Sequence, residues 1–233
     1  MRNLIISILV LGFLFPLMPT SAVAVEPEMP AEISRIETST QILNELMATR
    51  EAIPEDLIRS AHGIAIFPNV LKAAFLVGAR FGEGVFVARQ ANGAWSEPSF
   101  LSLYGASFGF QAGAESTDLV LVFRTRESVE ALGKGDITLG GTVSVAAGPV
   151  GRSAQASTDI QLRAEIYSYS KTRGLFAGVA LDGAGIQVDT GANQAIYGTP
   201  DPLRQAAVRV PDVAKRFSCV VAKFTGDPGR VCV

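Results

Sequence analysis

Apolar residues recur at two different spacings along the 233-residue chain. Ile33, Ile36, Leu43, Leu46 and Met47 share one stripe of a 3.6-residue period, which predicts an amphipathic helix over residues 31–50. A second helix is expected to start at Ile53-Pro54-Glu55-Asp56, with proline in its first turn and acids beside its positive end, and to reach about Ala61. After His62-Gly63 the period shortens. Ile64-Ala65-Ile66-Phe67 reads as a buried strand ended by Pro68, and "AAFLVGARF" and "GVFVARQ" read as two more. Asn92-Gly93 is a hairpin turn, because both residues tolerate positive φ, and Trp95 begins the returning strand.

"FLSLYGASFGFQAGAESTDLVLVFRT" carries glycine about every fourth residue and then an apolar strand over 119–123. "RESVEALGKG" is a short helix closed by glycine. "ITLGGTVSVAAGPVG", "DIQLRAEIYSYS" and "LFAGVALDGAGIQVD" supply further strands, and residues 202–219 read as helix again. Glycine weakens a strand and is kept where backbones approach or a sheet bends sharply. Its frequency here predicts an α+β fold: a strongly coiled antiparallel sheet or barrel-like β core with flanking helices.

The first 24 residues change the domain picture. Arg2, the apolar core over 4–17 and Ala22-Val23-Ala24 have the order of a secretory signal peptide cleaved before Val25, which predicts a periplasmic or secreted protein. Pro16 and Pro19 argue against a retained anchor, and no cysteine follows the core to carry a lipid. The expected organisation is a signal peptide over 1–24, an acidic linker and amphipathic helix over 25–56, a β-rich domain over 57–200, and a C-terminal helix with a pinned tail over 201–233. In an exported chain, two cysteines favour a disulfide between Cys219 and Cys232 over two free thiols.

Charge is divided unevenly. Residues 25–56 hold eight acids against two arginines, whereas 57–233 hold seventeen Lys and Arg against fourteen Asp and Glu. That mild basicity is far below a nucleic-acid binder's, so no nucleic-acid partner is expected, but it is compatible with an anionic surface. Candidate chemistry is sparse. His62 is the single histidine and sits at a helix-to-strand corner; no G-x-S-x-G elbow, H-E-x-x-H or cysteine cluster occurs. Gly78 to Gly84 lacks the Lys-Ser/Thr ending of a phosphate loop and reads as a β-turn. Asp182 and Asp189 read as turn residues before a calcium site or a carboxylate pair. No catalytic residue, metal or cofactor is expected.

The segments "GIAIFPNVLKAAFLVGARFGEGVFVAR", "WSEPSFLSLYGASFGFQAGAESTDLVLVF", "LGGTVSVAAGPVGR", "IYSYSKTRGLFAGVALDG" and "NQAIYG" resemble, in order, the SYLF lipid-binding domain. The resemblance spans 57–198. It implies a non-enzymatic module that binds membrane lipid; eukaryotic relatives bind phosphoinositides and some bundle actin, and bacterial relatives are exported. In this sequence no Src-homology or FYVE module accompanies the domain, and the leading helix is acidic where a membrane-seeking helix is basic, so the phosphoinositide and actin properties are not carried over.

The expected partner is an anionic phospholipid membrane surface; the alternative is a protein partner in the envelope or on a host surface. The candidate lipid contacts are Lys171 and Arg173 at a hairpin tip with Phe176 beside them, joined by Lys72, Arg80, Lys134 and Arg152, each near a glycine or turn. The competing reading of the tip is a solvated turn with Phe176 in the core, which strand alternation favours. Lys215, Arg216 and Lys223 form the next basic surface.

Overall fold

The computed structural model describes residues 29–49, 53–150, 163–172 and 175–227, with backbone alone at 74–77 and 107–114. The alternation that looks broken in the sequence continues as two long strands, β1 (Gly63–Ala88) and β2 (Ser99–Phe123). They pair antiparallel from Gly63 opposite Phe123 to Phe86 opposite Ser99. The Asn92-Gly93 turn joins them: Gly93 has φ +86°, Gln90 N–H donates to Ala94 O at 2.8 Å, and Trp95 makes an isolated bridge to Arg89 without starting a strand.

A straight 26-residue strand would be roughly 85 Å long. The ribbon instead doubles over, so that the two ends of β1 lie against each other. Arg89 N–H donates to His62 O at 2.8 Å. A Cβ on Gly63 would stand 2.7 Å from Phe86 Cε2, and one on Gly82 would stand 2.7 Å from Val70 Cγ2. The stretch Gly78 to Gly84, expected as a turn, is therefore strand interior, and Gly82 and Gly84 serve close approach. Pro68 does not end a strand either. Proline lacks an N–H for the ladder, and the chain absorbs it as a bulge between Phe67 and Val70. Asn69 there takes φ +51°, and its N–H donates to Asp118 Oδ1 at 2.9 Å.

The doubling divides the outer edge of β2. Leu101 to Gly105 pair with β7 (Ala184–Val188), while Asp118 to Phe123 pair with β5 (Ile166–Thr172). Two-residue β3 (Ile137–Thr138) joins β7; β4 (Val145–Ala147) runs parallel to β5, and β6 (Leu175–Gly178) runs antiparallel to it. The result is one strongly curled, seven-stranded mixed sheet in an α+β fold.

Each face of this sheet carries a buried core. On one lie α1 (Ala31–Ala48), α2 (Glu55–Arg59), α4 (Thr190–Tyr197) and α5 (Asp212–Thr225). Ile36, Leu43 and Leu46 of α1 and Phe217 and Val221 of α5 pack there with Ile64, Val85, Phe100, Val120 and Tyr169. The acidic N-terminal helix thus shares a core with the C-terminal one. On the other face α3 (Arg126–Lys134) sets Leu132 against Phe67, Phe86, Leu101 and Phe123. Phe86 and Phe123 meet edge to face at 5.1 Å. The C-terminal helix begins at Asp212, after Pro211, later than residue 202. Helix α4, absent from the expected elements, starts where Asp189 Oδ1 accepts from Ala192 N–H at 3.0 Å.

Candidate functional site

Doubling the ribbon brings together residues far apart in sequence. Lys72 and Arg80, eight positions apart on β1, line one cavity of about 120 Å³. Val70, Leu119, Val179 and Leu181 form its apolar walls, and Thr117, Ser170 and Thr172 bring hydroxyls from β2 and β5. Glu115, opposite Lys72 in the β1–β2 register, is its one carboxylate. Thr117 Oγ1 donates to Lys171 O at 2.8 Å and lies 2.9 Å from Thr172 Oγ1, which ties β2 to β5 at the cavity's edge.

Both cations are half-buried, and among the described residues neither forms an ion pair. Burial pulls the Arg80 guanidinium below its ordinary value, the sign of a charge short of solvent. The pocket chemistry is therefore a net positive, hydroxyl-lined cleft suited to a small anionic group.

The other expected contacts do not converge on this cleft. Lys171 lies on the helix-covered side of the sheet, where its ammonium pairs with Glu45 of α1 and stands 5.8 Å from the Phe176 ring centroid. Phe176 itself is a core residue at 4 % exposure. Lys134 is exposed in the last turn of α3, where a cation complements the helix's negative end. Arg152 and Arg173 lie outside the described residues, so the basic tip is described only up to Thr172. In α5, Lys215 pairs with Asp212 at 3.0 Å, Arg216 approaches Glu37 at 3.9 Å, and Lys223 covers the Phe224 ring.

On the opposite face of the ribbon an open groove of about 290 Å³ runs between α1 and β1, lined by Ser34, Arg35, Thr38, Asn69, Leu71 and Phe81 among others. Arg35 pairs with Glu83 and sits 5.4 Å from the Phe100 ring centroid. Sequence reading missed Arg35 because it lies in an acidic helix, and missed the hydroxyls because three strand segments must meet before they share a cleft.

The remaining polar candidates have structural partners. His62 Nδ1 lies 2.9 Å from Arg124 O at the corner leading into β1. Asp189 caps α4, and Asp182 lies in a turn against Gly140. Among the described residues no group of three metal-ligating side chains gathers, and no helix is long and apolar enough to cross a membrane. Cys219 is buried on α5, and Cys232 lies outside the described residues.

These features define a class: a curled α+β domain with a basic, hydroxyl-lined cleft and no assembled catalytic group among its described residues. Residues 104–223 match the family Ysc84, described as Las17-binding protein actin regulator. The chain belongs to this Ysc84, or SYLF, family. It is similar to LAS seventeen-binding protein 3 of Saccharomyces cerevisiae, with 43% identity over 158 residues, 66% of this chain and 34% of that protein. It is also similar to the SH3 domain-containing YSC84-like protein 1 of Xenopus laevis, at 42% over 150 residues, 64% of this chain and 44% of that one. For the human protein of the same name the figures are 45% over 133 residues, 57% and 39%. The matched stretch is thus less than half the length of these relatives.

Proposed function

We propose that this domain is an exported, non-enzymatic module that docks on anionic phospholipid membranes, with a headgroup phosphate received between Lys72 and Arg80. The observation that carries the reading is the convergence of two half-buried cations, neither in an ion pair among the described residues, on one cleft that holds a single carboxylate, Glu115. One carboxylate does not balance two partly desolvated cations, and an arriving phosphate relieves the excess charge through charge-assisted hydrogen bonds. Near an anionic leaflet each basic residue contributes about 1 kcal/mol, so the pair accounts for roughly a 30-fold preference over neutral vesicles.

Sedimentation with phosphatidylcholine vesicles, with and without 30 mol% phosphatidylglycerol as the probe composition, tests this. Binding is expected only with the anionic lipid, weaker in high salt, and lowered by Lys72→Gln with Arg80→Gln at unchanged melting temperature. Equal binding by the double variant removes the cleft from the function. A second reading, a protein-interaction module of the envelope or a host surface, draws on the relatives, one of which is named for binding a protein. Crosslinking to one defined protein without vesicle binding would favour it.

A further inference from the structure

We infer that the doubled β1–β2 ribbon seats the domain in the membrane's interfacial layer, with Leu71, Phe81 and Tyr104 entering the headgroup–acyl boundary. This rests on the anionic-membrane reading and adds the surface and depth of contact. Leu71, Phe81 and Tyr104 are 51, 55 and 40 % exposed, three of the large apolar side chains left in solvent among the described residues. Phe81 and Tyr104 are direct cross-strand partners, and Phe81 and Leu71 line the same groove. The three therefore form one patch on one face of the ribbon. Lys72 and Arg80, their chain neighbours, project to the other face at the same level, because successive strand residues alternate. Apolar side chains and phosphate-seeking cations thus occupy one level of the molecule, the arrangement an interfacial element needs.

The chain joining these residues points the same way. Residues 73–79 and 105–114 contain no charged side chain, although 18% of the protein's residues are charged. Such a gap suits a lipid surface, because no charge on these stretches has to be desolvated at the headgroup–acyl boundary. Of the nearby carboxylates, Glu83 is paired with Arg35, and Glu115 lies opposite Lys72 in the register, in the cation cleft on the other face.

Backbone chemistry sets the depth. Between the β7-paired and β5-paired segments of β2, positions 106–116 have β1 as their one strand neighbour among the described residues. Their outward N–H and C=O groups need water or headgroup partners and cannot enter hydrocarbon unpaired. The ribbon therefore stops at the interface, about 5–10 Å into the boundary, as interfacial helices do.

The test is fluorescence of a Phe81→Trp variant of the protein bound to vesicles of phosphatidylcholine with 30 mol% phosphatidylglycerol. The native Trp95 is 2 % exposed and serves as an unquenched internal reference. Quenching by lipid brominated near the headgroup end of the acyl chain, and less by lipid brominated near its middle, is expected. Leu71→Ser with Phe81→Ser should weaken vesicle binding on the order of 30-fold without lowering the melting temperature, because both residues are half-exposed. Full binding with no quenching overturns the seating and leaves the headgroup cleft standing. Stronger quenching from mid-chain bromine overturns the interfacial depth. Absence of vesicle binding by the unmodified protein overturns both readings together.

Discussion

Gly84 lies so close to Ile66 that a methyl group on its Cα would stand 2.5 Å from the Ile66 carbonyl oxygen. The obstacle is backbone of the same strand folded back on itself, so no rotamer change relieves it. Gly84→Ala is therefore expected to destabilise the protein by about 1–3 kcal/mol or to prevent folding. Chemical denaturation gives the value, and an unchanged midpoint would show that the ribbon is not closed here.

Gly133 provides the opposite sign. It sits in α3, and a Cβ there would meet Arg204 side-chain atoms at an ordinary 3.7 Å. Glycine costs a helix interior roughly 0.5–1 kcal/mol relative to alanine. Gly133→Ala should raise the denaturation midpoint by about that amount.

Helix α1 is held by grease more than by charge. Leu43 and Leu46 are wholly buried, whereas the Glu45–Lys171 and Glu37–Arg216 pairs have glutamates that are largely open to water. Exposed ion pairs are worth about 0–1 kcal/mol, and truncating a buried leucine costs about 2–5 kcal/mol. Leu46→Ala should therefore destabilise several times more than Lys171→Gln, as read by thermal melts. Because Lys171 is already paired and faces the helices, Lys171→Gln should also reduce vesicle binding less than Arg80→Gln does.

The elements with local signals were legible from sequence: the α1 stripe, the Asn92-Gly93 turn and the glycine-closed α3 all lie where the pattern puts them. The glycines within strands also signalled strong curling, as the sheet order shows. What was not legible was non-local. Pro68 looks like a strand end because its missing N–H is visible in sequence, while the bulge and the Asp118 contact that absorb it are not. For the candidate site, Lys72 and Arg80 stood out by charge beside turn-like residues, but their shared cleft depends on the ribbon doubling over. Lys171 looked equally good by charge, and only the packing of α1 reveals its partner.

The order of Arg2, apolar core and Ala22-Val23-Ala24 leads to a prediction about processing. The exported protein should begin at Val25. Terminal sequencing after expression in a bacterial host checks this, and Met1 intact on soluble protein in the periplasm would contradict it.

Cys219 and Cys232 are expected to be joined. In an exported chain a thiol pair this close in sequence meets an oxidising environment, and Cys219 is anchored on the buried side of α5 at 6 % exposure. The bridge would close a short loop and pin the tail beside that helix, contributing roughly 3 kcal/mol through the unfolded state. Because burial alone would shield Cys219 from reagents, alkylation must be done in denaturant. Without reductant the intact mass should show no alkyl group, and with reductant it should show two. Reduction should also lower the melting temperature measurably, and more than Cys232→Ser lowers that of already reduced protein. Two alkyl groups on unreduced, denatured protein would rule the bridge out and leave α5 held by its core packing, Phe217 and Val221 included, and by the Trp95–Thr225 and Ser218–Ser96 hydrogen bonds.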